Sequence, residues 1–498
     1  MTEIPRRHVR VAIIGAGFAG LGVAMRLRRL GITDFVVFER ASDIGGTWRD
    51  NTYPGAGCDV PSQLYSYSFA PNPNWTHSFS TQPQIQQYVQ DVVDRAGVRE
   101  AILLDCEVTA ARWNSATARW EIQTGKGAFT ADVTVSAAGP LSAPKLPEIK
   151  GITMFRGALF HSARWDHDVD LAGKRVAVVG TGASAIQIVP SIAGEVGRLD
   201  LYQRSAPWVL PRFGHRYTLL ERLAYRHVPG AQRVARAGVY WLRESFVLWQ
   251  SKYPPLADFF AFGARLKLWW VIRDAALRRK LTPGYRLGCK RMLISNEYYP
   301  ALARDNVEVV TDGIEEIREQ SIVANDGTER EIDAIVLATG FRITDSPTYD
   351  LISGRDGRTL AEVFGADGLR AYKGTTIANF PNLFLMIGPN AALSYTSAVF
   401  TIESQINYIV DAIRTMDAQG LRTVEVREQA QADYNRDLQT KFAGTVWNGD
   451  CTSWFVDERG EHSRLWPDFS FRFHRMLRSF DVEAYETTTH SEQAAANS

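Results

Sequence analysis

The sequence predicts an α/β protein with two parallel-sheet units and a helical insertion. Three observations carry that prediction. The turn Gly15-Ala16-Gly17-Phe18-Ala19-Gly20 follows the apolar run Val9–Ile14 and opens a helical pattern. A second turn, Gly180-Thr181-Gly182-Ala183-Ser184-Ala185, repeats the arrangement in a stretch that starts at Arg175. Residues 218–285 then break the strand–helix alternation and are dense in aromatics.

The first turn reads as a βαβ unit. Val9–Ile14 is a β-branched strand, 20–30 is helical with Gly31 as its stop, and 34–39 is the second strand. The unit has the expected length of about 30 residues. Gly15 permits a tight turn, Gly17 lets backbone approach a pyrophosphate, and Gly20 lets helix and strand pack closely. The helix N-terminus then presents its positive dipole end to the phosphates. In the second turn Ala185 takes the third glycine's place, which this fingerprint tolerates. Nineteen residues beyond the last small residue of each turn stands a charge, Glu39 after the first and Arg204 after the second. A carboxylate suits a ribose diol, whereas a guanidinium with a neighbouring hydroxyl, here Ser205, suits a ribose 2′-phosphate. The contrast predicts two Rossmann-like dinucleotide-binding domains, one for a flavin and one for NADPH, with electrons passing between them.

The remaining elements follow in order. Residues 105–137 alternate as strands around Val108, Trp113 and Trp120 and end in a small-residue run at 133–140. A similar ending recurs at 335–341, Ile-Val-Leu-Ala-Thr-Gly-Phe. Strand 199–203 belongs to the second unit, and strand-like segments return at 307–310 and 331–337. The run 383–387 reads as a buried strand, and a long helix follows at about 396–418. The flavin (FAD) domain is therefore expected to be discontinuous, 1–148 and 343–486, with the NADP domain at 149–217 and 286–342. The insertion is 218–285, and 487–498 reads as a polar disordered tail. The insertion's aromatics, Tyr240, Trp241, Phe246, Trp249, Phe259, Phe260, Trp269 and Trp270, are expected to pack helices rather than line a substrate tunnel. Charges such as Arg243, Lys252, Asp258 and Arg265 interrupt it as a membrane-touching surface.

Composition narrows the class. The chain of 498 residues carries 56 Lys and Arg against 55 Asp and Glu, which argues against a nucleic-acid partner. Cys58, Cys106, Cys289 and Cys451 form no CxxC pair or zinc pattern. A disulfide reductase, which shares the two-dinucleotide plan, would need such a pair, so the four are expected to be buried thiols. The N-terminus has no apolar signal region and no apolar stretch is long enough for a membrane span, so a cytoplasmic location is expected.

Two longer patterns make the reading specific. Residues 45–59 fit GGTW-x4-YPG-x3-D, and Phe155, Gly157, His161, Trp165 and Asp166 fit FxGxxxHxxxW followed by Asp. In these patterns the chain resembles the type I Baeyer–Villiger monooxygenases. The resemblance extends to 203–205, Lys290-Arg291, 338–341 and the Trp447, Trp454 and Trp466 segment. Gly57 departs from it, standing where many members have Arg.

The resemblance implies an enzyme in which NADPH reduces FAD and one oxygen atom of O2 is inserted beside a ketone carbonyl, by way of a C4a-peroxyflavin, to give an ester or lactone. Arg291 matches the active-site arginine and Asp59 the carboxylate that holds it. Lys290 matches a contact to the 2′-phosphate, and Trp454 part of a loop over the nucleotide. The implied flavin set is Gly15, Gly17, Phe18, Ala19, Gly20, Glu39, Arg40, Gly46, Thr47, Trp48, Asp59, Tyr65 and Val108. The NADP set is Gly180, Thr181, Gly182, Ser184, Ala185, Gln187, Arg204, Ser205, Lys290, Ala338, Thr339, Gly340 and Trp454. Phe155, Gly157, His161 and Trp165 fall in the interdomain linker, with His161 read as structural rather than as a general base. The alternatives are a flavin monooxygenase that oxygenates sulfur or nitrogen, and an uncoupled NADPH oxidase.

Overall fold

The computed structural model describes residues 7–448, 453, 455–457 and 459–489. Its first sheet holds β1 (Arg7–Ile14), β2 (Phe35–Phe38), β3 (Ile102–Leu103), β4 (Val108–Asn114), β5 (Arg119–Thr124) and β6 (Gly127–Ser136). The strand order is Ile352–Ser353, β4, β5, β6, β1, β2, β3, and Leu383–Leu385 also pairs with β6. β6, β1, β2 and β3 run parallel, while β4 and β5 are an antiparallel meander. The helices α1 (Phe18–Arg29), α2 (Thr47–Asp50) and α3 (Gln82–Ala96) lie on this unit. β1 from Val11 to Ile14 and all of β2 are buried, as strands covered on both faces must be.

The second sheet is wholly parallel. Its order is Val307–Val310, β9 (Arg198–Tyr202), β8 (Arg175–Val179), Ala334–Leu337 and β7 (Ala158–His161). Helix α4 (Ala185–Ile192) follows β8. The chain thus builds most of the first sheet, leaves it for the second, and returns to pair 352–353 with β4 and 383–385 with β6. The buried helix Ala398–Gln419, N-capped by Ser397, then packs on α1.

The insertion is helical, with α5 (Leu219–His227), α6 (Ala231–Glu244), a π-turn at Leu248–Lys252, and α7 (Pro255–Val271). Its aromatics follow the packing expectation only in part: Tyr240 stacks on Phe400 and Phe246 packs against Trp249. Trp249 is buried, but Trp241, Phe259, Phe260, Trp269 and Trp270 are exposed, and none of the eight lines the main cavity.

Two further expectations are corrected. Thr487–Thr489, assigned to a polar tail, complete the strand Tyr485–Thr489, antiparallel to Leu421–Val426. A run of β-branched threonines suits a strand, and the Thr423 and Thr488 hydroxyls are hydrogen-bonded at 2.7 Å across the pair. The rest of that segment lies outside the described residues. Cys58 and Cys106 are buried free thiols, but Cys289 is disulfide-bonded; spacing along the chain does not report proximity in the fold.

Candidate active site

The two glycine turns are built alike at their first glycine. Gly15 donates its N–H to the Phe38 carbonyl at 2.8 Å, and Gly180 donates to the Tyr202 carbonyl at 3.0 Å. Both have positive φ, and a Cβ on either would meet a carbonyl oxygen of the neighbouring strand end, Ala137 at 2.8 Å or Ala338 at 2.5 Å. That contact explains the echo between 133–140 and 335–341: each small-residue ending closes its turn from the side.

The turns diverge further on. A Cβ on Gly20 would stand 2.0 Å from the Gly15 carbonyl oxygen, so α1 sits directly on the turn. Gly20 is therefore a packing residue beneath the cavity. Ala185 holds the corresponding place in α4 fully buried and likewise does not line the cavity. Gly45 donates to the Ala16 carbonyl at 2.9 Å, which folds the 45–46 loop over the first turn.

One cavity of about 1460 Å³ connects both turns. It exceeds the ~300–1,000 Å³ of an ordinary small-molecule site, as two dinucleotides require. Gly15, Gly17, Phe18, Ala19, Glu39, Arg40, Gly46, Thr47, Trp48, Asp59, Tyr65 and Val108 line it. So do Gly180, Thr181, Gly182, Ser184, Gln187, Arg204, Ser205, Lys290, Ala338, Thr339, Gly340 and Arg291. Trp454 lies outside the described residues.

The residues present fit the two cofactors. The N-cap of α1, Gly17, has no side-chain cap, and a Cβ there would meet an atom no nearer than 3.8 Å. Bare helix amides over open space form an anion seat. The buried Glu39 carboxylate accepts from the Ala16 amide at 2.9 Å, the Ala41 amide at 3.0 Å and Arg49 at 2.9 Å. A carboxylate has about four acceptor positions, so it can still take a ribose hydroxyl. At the second turn Arg204, Ser205 and Lys290 converge, with Lys290 Nζ 3.4 Å from the Ser205 hydroxyl. Burial, and then the like charge of Arg204, pull the Lys290 ammonium below its ordinary value. Two cations that repel one another in the bare protein suit a phosphate dianion.

Between the turns lies Arg291. Its Nη2 donates to both Asp59 oxygens, at 2.9 and 2.7 Å. Burial opposes the Asp59 charge, yet the Arg291 guanidinium outweighs it and holds the carboxyl below its ordinary range. Asp59 in turn raises Arg291, keeping it cationic. They lie 232 positions apart in sequence and are brought together where the 53–59 loop meets the second unit. Gln187 makes that junction, donating to the Gly57 carbonyl at 3.0 Å and accepting from the Gly57 amide and the Tyr53 hydroxyl, both at 3.2 Å. A Cβ at Gly57 would stand 3.1 Å from the Ser80 carbonyl oxygen, a tight but non-left-handed site in which the chain carries no side chain.

The 155–165 pattern is not in the cavity wall. A Cβ on Gly157 would meet the Asp333 carbonyl oxygen at 2.4 Å, so this glycine seats β7 on its neighbour. Trp165 packs edge-on against Phe160. His161 is buried beside Phe341. Its Nδ1 accepts from the Ala163 amide at 3.1 Å, which places the ring proton on Nε2. Burial pulls its basicity down, and it holds the strand end below the 338–341 turn. Sequence reasoning missed Arg49, which ties Glu39 to the 43–50 loop, and Arg243, whose Nη2 lies 3.5 Å from the Asp59 carbonyl oxygen. Arg243 sits in the insertion, where no spacing signal points to the site.

Two nucleotide turns sharing one cavity, with a fixed cation at their junction, fit a flavoprotein monooxygenase. Comparison with known proteins narrows this. The flavin-binding monooxygenase-like family matches residues 8–226. A Baeyer–Villiger monooxygenase of Streptomyces coelicolor is 50% identical, over 97% of this chain and 93% of that one. One from Pseudomonas aeruginosa is 44% identical, over 100% and 94%. Among solved structures, a steroid monooxygenase bound to NADP superposes with a TM-score of 0.84 at 32% identity, covering 96% of this chain and 99% of that one. The cyclohexanone monooxygenase of Rhodococcus sp. Phi1 bound to NADP+ gives 0.86 at 27% identity, over 97% and 100%. The chain belongs to the Baeyer–Villiger monooxygenases.

Proposed function

We propose that this enzyme converts apolar ketones to esters or lactones, with Arg291 as the catalytic cation and Asp59 as its positioning partner. The observation that carries the proposal is the Arg291–Asp59 pair, held at 2.7 and 2.9 Å in the wall of the cavity that both turns share. FAD, reduced by NADPH, supplies the activation of O2 when bound. Gly15, Gly17, Glu39 and the 45–48 loop would hold its phosphates and ribose. Arg204, Ser205 and Lys290 would hold the nucleotide 2′-phosphate. Attack on a ketone carbonyl puts negative charge on its oxygen, and a preorganised guanidinium stabilises charge that develops there. Asp59 fixes the guanidinium's orientation and offsets the cost of burying it. The wall at Ile387, Ala391, Leu393 and Ile402 is apolar, which favours a ketone without charged groups and keeps water away from the reacting atoms.

The test is NADPH consumption with product identification across cyclic, linear, aryl and steroid ketones and a thioether panel. Ester or lactone formation coupled to NADPH is the expected result. Turnover of thioethers with no ester from any ketone would refute the assignment. Arg291→Ala should bind FAD and be reduced by NADPH while forming no detectable ester; retained ester formation would remove Arg291 from its role.

A further inference from the structure

Helix α7 carries its large side chains on the wrong side for a helix of an ordinary globular surface. At 100° per residue, Ala257, Ala261, Ala264 and Leu268 form one stripe, and all four are buried. The opposite stripe is Phe259, Phe262, Leu266, Trp269 and Trp270. Phe259 is 73% exposed, Phe262 67%, Trp270 64% and Trp269 53%. A helix normally buries its bulk and exposes its small or charged residues.

The charges on α7 are drawn away from that face. Arg265 lies over the Trp208 ring at 5.5 Å, and Lys267 donates to the Ser295 carbonyl at 2.7 Å. Asp258 pairs with Arg286 at 2.9 Å. Thus the residues that interrupt the apolar run in sequence do not interrupt it in space. Basic residues stand instead at the C-terminal end of the helix, where Arg273 and Arg279 are exposed, whereas Lys252 before it pairs with Asp468 and Lys280 donates to the Val309 carbonyl. Residues 218–285 hold twelve Lys and Arg against four Asp and Glu, a net charge of +8. The whole chain carries +1, which leaves −7 on the rest.

We propose that the outer face of α7, with its flanking basic residues, docks on an anionic lipid surface. Tryptophan and phenylalanine settle at the headgroup boundary, and each nearby Lys or Arg adds attraction to anionic lipid. Among the described residues no helix is long and apolar enough to cross a membrane, so the contact is peripheral. A second copy of the chain fits the face less well, because an isologous dimer would set one +8 insertion against another. The same insertion reaches the catalytic pair through Arg243 of α6, so the element that docks also touches the site, and a lipid surface concentrates apolar ketones beside it.

The test uses the full-length holoenzyme and sedimenting vesicles of phosphatidylcholine, with or without phosphatidylglycerol. The enzyme should sediment with the phosphatidylglycerol vesicles at low salt and release at high salt. The Phe262→Ser, Trp270→Ser double variant should bind at least about ten-fold more weakly. The Arg273→Gln, Arg279→Gln variant should lose roughly five-fold per charge. Both should keep wild-type kcat/KM for a water-soluble ketone, which shows that the variants are folded. Failure of the wild type to sediment with either vesicle overturns the proposal. So does a wild-type dimer that becomes monomeric in the Phe262→Ser, Trp270→Ser variant without any vesicle binding.

Discussion

The two nucleotide turns start from one construction and end as different sites. Each closes its first glycine against a strand-end alanine carbonyl, at 2.8 Å for Gly15 and 2.5 Å for Gly180 if a Cβ were present. From there the first turn tightens. Gly20 seats α1 on the turn, Gly45 is hydrogen-bonded over it, and Glu39 is held by two amides and Arg49. The second turn stays open. A Cβ at Gly182 would meet no described atom within 4 Å, and Gly182 and Arg204 are exposed. The difference matches the work asked of each. A flavin stays through every cycle and suits a closed, prebuilt seat, whereas a nicotinamide cofactor is exchanged and suits an accessible one.

The sharpest way to break this contrast is at the third small residue. Gly20→Ala would drive a methyl into the Gly15 carbonyl oxygen, where only backbone movement relieves the contact. The turn should distort, costing about 1–3 kcal/mol or more, and the purified protein should lack flavin absorbance and activity. Ala185→Gly removes a methyl from the first position of α4 and should cost only about 0.5–1 kcal/mol, with NADPH turnover retained. Equal effects of the two changes would show that the turns are not differently closed.

Next in size is the junction. Asp59→Asn leaves Arg291 charged but without its anchoring carboxylate, and ester formation should fall about ten- to hundred-fold with flavin content unchanged. Because the Asp59 carboxyl ionises below its ordinary range, the pair is complete above about pH 4 and is lost only as the pH falls through that lowered value. The wild-type pH–rate profile should therefore show no acid limb from Asp59 between about pH 5 and 8. A limb in that window that disappears in Asp59→Asn would contradict the pairing.

Smaller again is Arg204→Gln. Removing a charged contact to a 2′-phosphate should raise KM for NADPH about ten-fold or more while leaving NADH nearly unchanged. An equal rise for both cofactors would mean that Arg204 shapes the turn rather than reads the phosphate.

How far the sequence reached follows from the same contrast. The βαβ units and their turns were legible because glycine, strand and helix signals are local, and the structure places them within a residue or two of the expected bounds. The catalytic pair was not legible from residues alone. Asp59 and Arg291 lie 232 positions apart, and only the resemblance of 45–59 and Lys290-Arg291 to a known pattern joined them. Arg243 stayed hidden because it reaches the site by tertiary packing of the insertion. The exposed face of α7 was misread for a related reason. Aromatic density reports hydrophobicity but not which side of a helix is covered, and that is settled by the small stripe Ala257, Ala261, Ala264 and Leu268.

The smallest expected effect is the most selective. Gly182→Ala places a methyl in open space, at a residue whose φ is not left-handed. In the bare protein nothing should change, and Tm should stay within the scatter of the wild type. If the glycine is there for a pyrophosphate rather than for the fold, the methyl then meets the nucleotide, and NADPH affinity should fall several-fold while flavin content holds. Gly17→Ala is the matching probe of the first turn, since its Cβ also finds room, 3.8 Å from Gly46. There the loss should fall on flavin retention and leave NADPH affinity alone. The pair separates a glycine kept for its ligand from one kept for its backbone: a drop in Tm for either variant, before any cofactor is added, would assign that glycine to the fold.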